Sequence, residues 1–196
     1  MTRAASCERT TKETSIGIRL DLDGSGQVDV TTGLPFFDHM VDQLGKHAGF
    51  DLTVLARGDL QVDAHHTVED VGITVGEALR DALGDKAGIR RFASVSLPLD
   101  EALVDVALDL SGRPFLHYEV APAPEPLGSP PFDPQLAEEF WRAFATAAGL
   151  TLHLRMRSGK NPHHILEASF KGVARCLRDA VRVEDAGGVP STKGTL

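Results

Sequence analysis

One stretch of the sequence occurs twice. Residues 65–83 are HHTVEDVGITVGEALRDAL, and residues 163–181 are HHILEASFKGVARCLRDAV. The two stretches align without a gap at an offset of 98 residues, and both contain His-His, a glutamate three residues after the second histidine, and Leu-Arg-Asp-Ala. Histidine is an uncommon residue. A doubled His-His-x-x-Glu in one register therefore indicates an internal repeat rather than a chance likeness of two amphipathic helices.

The segments around this repeat follow the same order in both halves of the chain. Alternation and helical periodicity predict strands at 14–22, 27–32, 51–57, 91–97, 101–110, 113–120 and 151–157, a short strand after the turn at 58–62, and helices at 36–47, 65–83, 135–148 and 162–183. We expect residues 27–32 to return as the hairpin partner of the first strand, and the six prolines of 121–134 to form a loop.

This order predicts an α+β protein built by tandem duplication of a half-domain, with two β-sheets and the helices packed between them. Residues 1–91 would form the first half-repeat and residues 92–196 the second, and the two together one compact catalytic domain. The helices of the two halves would bury their apolar faces against each other.

The composition narrows the class of protein. The chain has 196 residues, of which 42% are hydrophobic and 24% charged, as is typical of a soluble globular protein. Its net charge of −8 argues against nucleic acid or an anionic membrane as a partner. No apolar run is long enough to span a membrane, and the polar segment 1–12 does not resemble a secretory signal. With only two cysteines, we expect a cytoplasmic protein.

The doubled motif is typical of a metal centre. On a helix, Glu69 lies within one turn of both His65 and His66, and Glu167 is placed in the same way relative to its own histidine pair. Adjacent histidines point about 100° apart, so each pair can serve two metals or bridge two surfaces. Imidazole nitrogens with a carboxylate suit Mn, Fe or Zn.

Each half also offers one further candidate ligand on its shorter helix. His39 lies 26 residues before His65, and Glu139 lies 24 residues before His163. Each residue either adds a ligand or is an ordinary polar residue of its helix, and the residues alone leave both alternatives open.

Beyond these motifs, nearly the whole chain resembles the imidazoleglycerol-phosphate dehydratase family, the lyases of histidine biosynthesis. The segments that carry the resemblance are TKET (11–14), TGLPFFDHMVDQL (32–44), DAHHTVED (63–70), RRF (90–92), SGRP (111–114), NPHHILEA (161–168) and PSTKG (190–194). The resemblance implies a duplicated half-domain, a homo-oligomer of 24 subunits, and two Mn²⁺ ions per active site shared between subunits.

The resemblance also assigns roles to individual residues. The metal ligands that it implies are His39, His65, His66, Glu69, His163, His164 and Glu167. The family usually has a further histidine ligand where this chain has Glu139, and a carboxylate is an acceptable substitute for binding manganese.

The remaining implied residues handle the substrate. Glu13 matches the acid/base of the family and forms, with Glu69 and Glu167, the implied catalytic set. The implied substrate-binding residues are Gln43 and His47. The residues implied to bind the phosphate are Arg91, Arg113, Lys171, Ser191 and Lys193. Guanidinium and ammonium groups around a phosphate make the strong, charge-assisted kind of hydrogen bond.

The implied reaction explains why a metal is needed. Water is removed from a glycerol phosphate that bears an imidazole, and imidazole-acetol phosphate is formed. The hydrogen that is lost sits on the carbon beside the ring, where no carbonyl stabilises a carbanion. Metal ions on the ring nitrogens would stabilise an imidazolate, so that hydroxide can leave through a diazafulvene-like species. A proton shuttle such as Glu13 contributes about 10²–10⁴-fold.

Two other functions fit the same residues less completely. A metal-dependent hydrolase of phosphorylated small molecules would need an activated water instead of a bound ring. An assembly protein would use the histidine pairs as structural metal sites between subunits, but it gives the Arg, Lys and Ser set no purpose. A glycine-rich phosphate loop is absent, since Gly24-Ser25-Gly26 is only a hairpin turn.

Overall fold

The computed structural model describes residues 3–184, 188–194 and 196. The strands are β1 (Ala4–Thr10), β2 (Thr14–Asp21), β3 (Val28–Thr31), β4 (Asp51–Gly58), β5 (Phe92–Leu99), β6 (Ala102–Asp109), β7 (Phe115–Glu119) and β8 (Thr151–Ser158). The helices are α1 (Pro35–Ala48), α2 (His65–Leu83), α3 (Leu136–Ala148) and α4 (Pro162–Ala180). Each half therefore has three strands, a helix, a strand and a longer helix.

The strands form two four-stranded sheets of the same topology. Their orders are β1-β2-β4-β3 and β5-β6-β8-β7. In each sheet the short strand at one edge runs parallel to its neighbour, with Val28 opposite Leu52 in the first and Phe115 opposite Thr151 in the second. The other pairings are antiparallel.

Three of the predicted features were wrong. Residues 27–32 do not pair with the first strand, because both edges of β2 are already occupied: Ile18 lies opposite Cys7 of β1 and Val54 of β4. No short strand follows the turn at 58–62. The last helix ends at Ala180, since Val183 leaves it to pair with Ile89.

The helices lie between the sheets, and each long helix packs against the short helix of the other half. Helix α1 packs on α4 and α3 packs on α2, while α2 also covers β1 and β2, and α4 covers β5 and β6. Inward-facing side chains alternate along the central strands, as with Ile16, Ile18 and Leu20 of β2. The predicted α+β fold, with helices packed between two sheets, is confirmed.

Two glycines bring α2 and α3 close together. A Cβ on Gly72 would lie 2.8 Å from the Phe140 carbonyl oxygen, and a Cβ on Gly76 would lie 2.7 Å from the carbonyl oxygen of Phe144 and 2.8 Å from Ala147 Cβ. Real Cβ atoms do not approach backbone this closely, so the helices can keep this spacing only without side chains at both positions. None of the described helices is long and apolar enough to cross a membrane.

We predict that Gly76→Ala lowers the free energy of unfolding. Alanine improves helix propensity by about 1 kcal/mol, but forcing two helix backbones apart typically costs about 1–3 kcal/mol. A net loss of about 1 kcal/mol or more is therefore expected in denaturant titrations. Gly17→Ala is the control, because a Cβ there meets no atom within 4 Å. A Gly76→Ala protein as stable as the parent would contradict the argument.

Candidate active site

Near the start of each long helix, a side chain two residues before the first histidine accepts a hydrogen bond from the backbone N–H of that histidine. The side-chain oxygen of Asp63 accepts a hydrogen bond from the backbone N–H of His65 at 2.8 Å. The side-chain oxygen of Asn161 accepts one from the backbone N–H of His163 at 2.9 Å, and Pro162 fills the first turn of α4. Because these hydrogen bonds satisfy free N–H groups, they help to fix where each helix starts and hence where its histidines lie.

The two histidines of each pair point in different directions. The rings of His65 and His66 lie 6.1 Å apart with their planes at 89°, and those of His163 and His164 lie 6.2 Å apart at 84°. Each pair therefore serves two surfaces, as its spacing on a helix predicts.

A compact group of ligand atoms forms where α1 meets α4. Glu167 Oε2 lies 2.9 Å from His163 Nε2 and 3.6 Å from His39 Nε2, and the three ligand atoms lie within 4.8 Å of one another. His39 comes from the first half and the other two residues from the second, so the packing of α1 on α4 creates this group. Two imidazole nitrogens and a carboxylate oxygen suit a divalent ion such as manganese.

Charged side chains shift the pKa values of groups at this site. Burial opposes ionisation of Glu167, but Lys171, whose Nζ lies 2.5 Å from Glu167 Oε1, and His163 outweigh it and lower the pKa of that carboxyl. Burial also lowers the pKa of His47, and the charges of Lys171 and Arg175 lower it further. The His47 ring donates to Gln43 Oε1 at 3.2 Å.

The corresponding group of the other long helix is more open. His65 Nε2 lies 4.0 Å from Glu69 Oε2, and Glu139 shares with Glu69 a groove of about 460 Å³ between α2 and α3. Among the described residues, only His39, His163 and Glu167 bring three ligand atoms within 4.8 Å. The structure thus places Glu139 and Glu69 on the same groove, but not in a closed ligand set.

The second histidine of each pair is held by a carboxylate that sequence reasoning missed. His66 Nδ1 lies 3.1 Å from Asp59 Oδ2, and His164 Nδ1 lies 2.8 Å from Glu101 Oε2. Because a carboxylate only accepts, Nδ1 must donate, and in the neutral ring this leaves the Nε2 lone pair free for a metal. Glu101 lies 63 residues from His164, and no spacing signal connects them.

These contacts also shift the pKa values of the paired groups. Hydrogen bonds to Asp59 and Glu101 raise the pKa values of His66 and His164 respectively. The same bond from His164, with backbone N–H groups of Asn161 and Lys160, lowers the pKa of Glu101 to about 2.

The candidate acid/base Glu13 lies near His66. Glu13 Oε2 is 3.9 Å from His66 Nδ1, and the Glu13 side chain is 53% exposed. It is carried by the turn between β1 and β2, which faces the start of α2.

The residues predicted to bind the substrate phosphate lie in two separate places. Arg91 donates to both oxygens of Asp109, at 2.7 and 3.1 Å, and to the Pro190 carbonyl at 2.8 Å. Arg113 Nη2 lies 3.7 Å from the same Asp109. The tail segment 190–194 contains Ser191, whose hydroxyl accepts from the backbone N–H of Lys193 at 3.2 Å. Lys171 instead lies with the His39 group.

Within one chain, the length of helix α4 separates Arg91 from the group formed by His39, His163 and Glu167. The backbone N–H of Arg91 donates to the Ala180 carbonyl at the end of α4, whereas His163 lies at its start. At 1.5 Å per residue these positions are about 25 Å apart. The same small molecule cannot contact both ends in a single chain.

Comparisons with known proteins agree with this architecture. Residues 32–177 match the imidazoleglycerol-phosphate dehydratase family. The chain is 56% identical to the imidazoleglycerol-phosphate dehydratase of Acidothermus cellulolyticus, over 99% of this chain and 93% of that one. It is 54% identical to the enzyme of the same name from Acidiphilium cryptum, over the full length of both.

Solved structures give the same result at lower identity. A crystal structure of the dehydratase from Pyrococcus furiosus superposes with a TM-score of 0.84 at 37% identity, covering 97% of this chain and all of that one. The Staphylococcus aureus enzyme gives a TM-score of 0.83 at 34% identity, covering 92% of this chain and 99% of that one.

We predict that Glu101→Gln lowers the pKa of His164 in metal-free protein. The carboxylate raises that pKa, so the pair stabilises the fold below the ordinary histidine pKa, and this contribution is lost as pH rises through the raised value. NMR titration of the ring resonances measures the shift. His66 is the internal control, because its partner is Asp59. An unchanged His164 titration would rule out Glu101 as the cause.

Proposed function

The chain belongs to the imidazoleglycerol-phosphate dehydratase family, the hydro-lyases of histidine biosynthesis, and we propose that it acts with two Mn²⁺ ions per active site in a cytoplasmic particle of 24 subunits. The observation that carries the metal proposal is the group formed by His39, His163 and Glu167, whose ligand atoms lie within 4.8 Å of one another.

The proposed ligands are distributed over the starts of α2 and α4 and over the two shorter helices. They are His39, His65, His66, Glu69, Glu139, His163, His164 and Glu167. The donor set is mixed nitrogen and oxygen, which manganese accepts. Asp59 and Glu101 support the proposal, because each leaves the outward nitrogen of its histidine available.

In the proposed reaction, water leaves the glycerol chain of imidazoleglycerol phosphate and imidazole-acetol phosphate remains. Bound Mn²⁺ would supply Lewis-acid stabilisation of negative charge on the imidazole ring. Glu13 would take the proton from the carbon beside the ring; its exposed carboxylate, 3.9 Å from His66 Nδ1, supports this role. Gln43 contacts His39, His47 contacts Gln43, and the two side chains would orient the ring.

The substrate phosphate would be bound by Arg91, Arg113, Lys171, Ser191 and Lys193. These side chains act by positioning, since the phosphate is remote from the bond that breaks. His163 lies at the start of α4, and Arg91 is hydrogen-bonded to the other end of this helix. One substrate cannot reach both ends, which supports a site completed by a second copy of the chain. We therefore propose a homo-oligomer with shared active sites.

Removing the metal tests this proposal. Chelated protein should lose turnover of imidazoleglycerol phosphate and separate into small oligomers, and Mn²⁺ should restore both. Steady-state assays and light scattering measure the two effects, and a simple phosphate ester serves as the control substrate that is never turned over. Full activity in demonstrably metal-free protein would refute the manganese requirement, and an intact large particle would refute metal-linked assembly.

We also predict that Glu139 contributes to metal binding. Glu139→Ala should weaken Mn²⁺ affinity by about 10-fold or more in calorimetric titrations, whereas Glu139→His should retain activity and shift preference from manganese towards zinc. Glu138→Ala is the matched control, because Glu138 is on the same helix but pairs with Arg142. Unchanged Mn²⁺ affinity and activity in Glu139→Ala would show that this carboxylate does not bind the metal.

A further inference from the structure

The turn that carries Glu13 is closed by one side chain. The hydroxyl oxygen of Thr11 accepts hydrogen bonds from the backbone N–H groups of Glu13 at 3.1 Å and Thr14 at 3.0 Å. The backbone N–H of Thr11 donates to the Thr14 carbonyl at 2.9 Å. The Glu13 side chain is half-exposed and its carboxylate lies 3.9 Å from His66 Nδ1, so the backbone of the turn sets the position from which the side chain reaches His66.

A buried carboxylate on the metal-binding helix lies beneath this turn. Asp70, which follows Glu69 on α2, is only 6% exposed. One of its oxygens accepts from the hydroxyl of Thr14, and the other accepts from Arg9 Nε at 2.7 Å. Asp70 therefore connects α2 to the strands on both sides of the turn, through Arg9 of β1 and Thr14 of β2.

Because Asp70 is a carboxylate, it determines which group is the donor in each hydrogen bond that links Asp70, Thr14 and Thr11. A carboxylate accepts only, so the single hydroxyl proton of Thr14 must go to Asp70. In the 3.1 Å contact between the Thr11 and Thr14 hydroxyls, Thr11 is then the donor. Both lone pairs of Thr11 remain free for the two backbone N–H groups of the turn. Each donor has one acceptor, and such a connected network holds its geometry better than isolated bonds do.

We propose that Asp70 is a positioning residue, which acts through Thr14 and Thr11 to hold Glu13 in place relative to His66 and Glu69. This inference rests on the proposed acid/base role of Glu13. Because α2 carries the proposed ligands and the β1–β2 turn carries Glu13, the network couples the two parts of the reacting site. A misplacement of about 1 Å can cost a proton-transfer site about 10²-fold in rate.

Removing the Thr14 hydroxyl tests the coupling with little change of shape. In the holoenzyme, Thr14→Val should lower kcat by about 10-fold or more, with KM and manganese content nearly unchanged, and Thr14→Ser should restore kcat. Thr74→Val is the matched control: Thr74 is buried one turn further along α2, and its hydroxyl donates to the Asp70 backbone carbonyl at 2.7 Å. That variant should lower stability without lowering kcat.

A second variant keeps the test decisive if Thr14→Val does not fold. Thr11 is exposed, so Thr11→Val should fold normally, yet it removes the acceptor for the Glu13 N–H. It should lower kcat as Thr14→Val does. Full kcat in folded Thr11→Val or Thr14→Val would overturn the positioning role.

A double-mutant cycle separates this inference from the role of Glu13. Glu13→Gln should keep manganese and lose most turnover. If Asp70 acts only through Glu13, adding Thr14→Val to Glu13→Gln should cause no further loss of kcat, whereas multiplying losses would overturn the inference. Normal turnover in Glu13→Gln would instead refute the acid/base role and, with it, the positioning role of Asp70.

Discussion

The crossed packing of helices from opposite halves is the contact on which the site depends. Helix α1 of the first half covers α4 of the second, and this contact alone brings His39 within reach of His163 and Glu167. Neither half contains this ligand group by itself. The same arrangement packs α3 on α2, where Gly72 and Gly76 permit an approach that any larger residue would prevent. The packing of these helices therefore determines both the core and the geometry of the candidate site.

The two crossed contacts are built alike but differ in charge. At the offset of 98 residues that aligns the long helices, Lys171 corresponds to Ile73. Lys171 pairs with Glu167 beside His39, whereas the groove near Ile73 holds the carboxylates of Glu69 and Glu139. The first group has an ammonium in direct contact with its carboxylate. The groove is lined by the carboxylates of Glu69, Glu77 and Glu139 and by the guanidinium of Arg142, which pairs with Glu138. The two contacts therefore differ in the charged side chains around their candidate ligands.

The sequence alone predicted the features of the fold and the site that depend on local or periodic patterns. The bounds of α2 follow from its amphipathic pattern and from the glycine after it, and the histidine pairs follow from their repetition. Strand β1 was missed, because its polar residues and its place at a sheet edge hide the alternation. The parallel pairing of β3 and the partners Asp59 and Glu101 depend on which edges and side chains the tertiary fold leaves available. No local pattern records such contacts.

The crossed packing also bears on how the duplicated chain arose and diverged. An isolated half would leave its helices uncovered, so an ancestor with one copy of the unit would have needed to pair with an identical partner. In such a homodimer, every amino-acid substitution would change both helix–helix contacts at once. In one duplicated chain the two contacts can differ, and here they do: α1 carries an imidazole at His39, where α3 carries a carboxylate at Glu139.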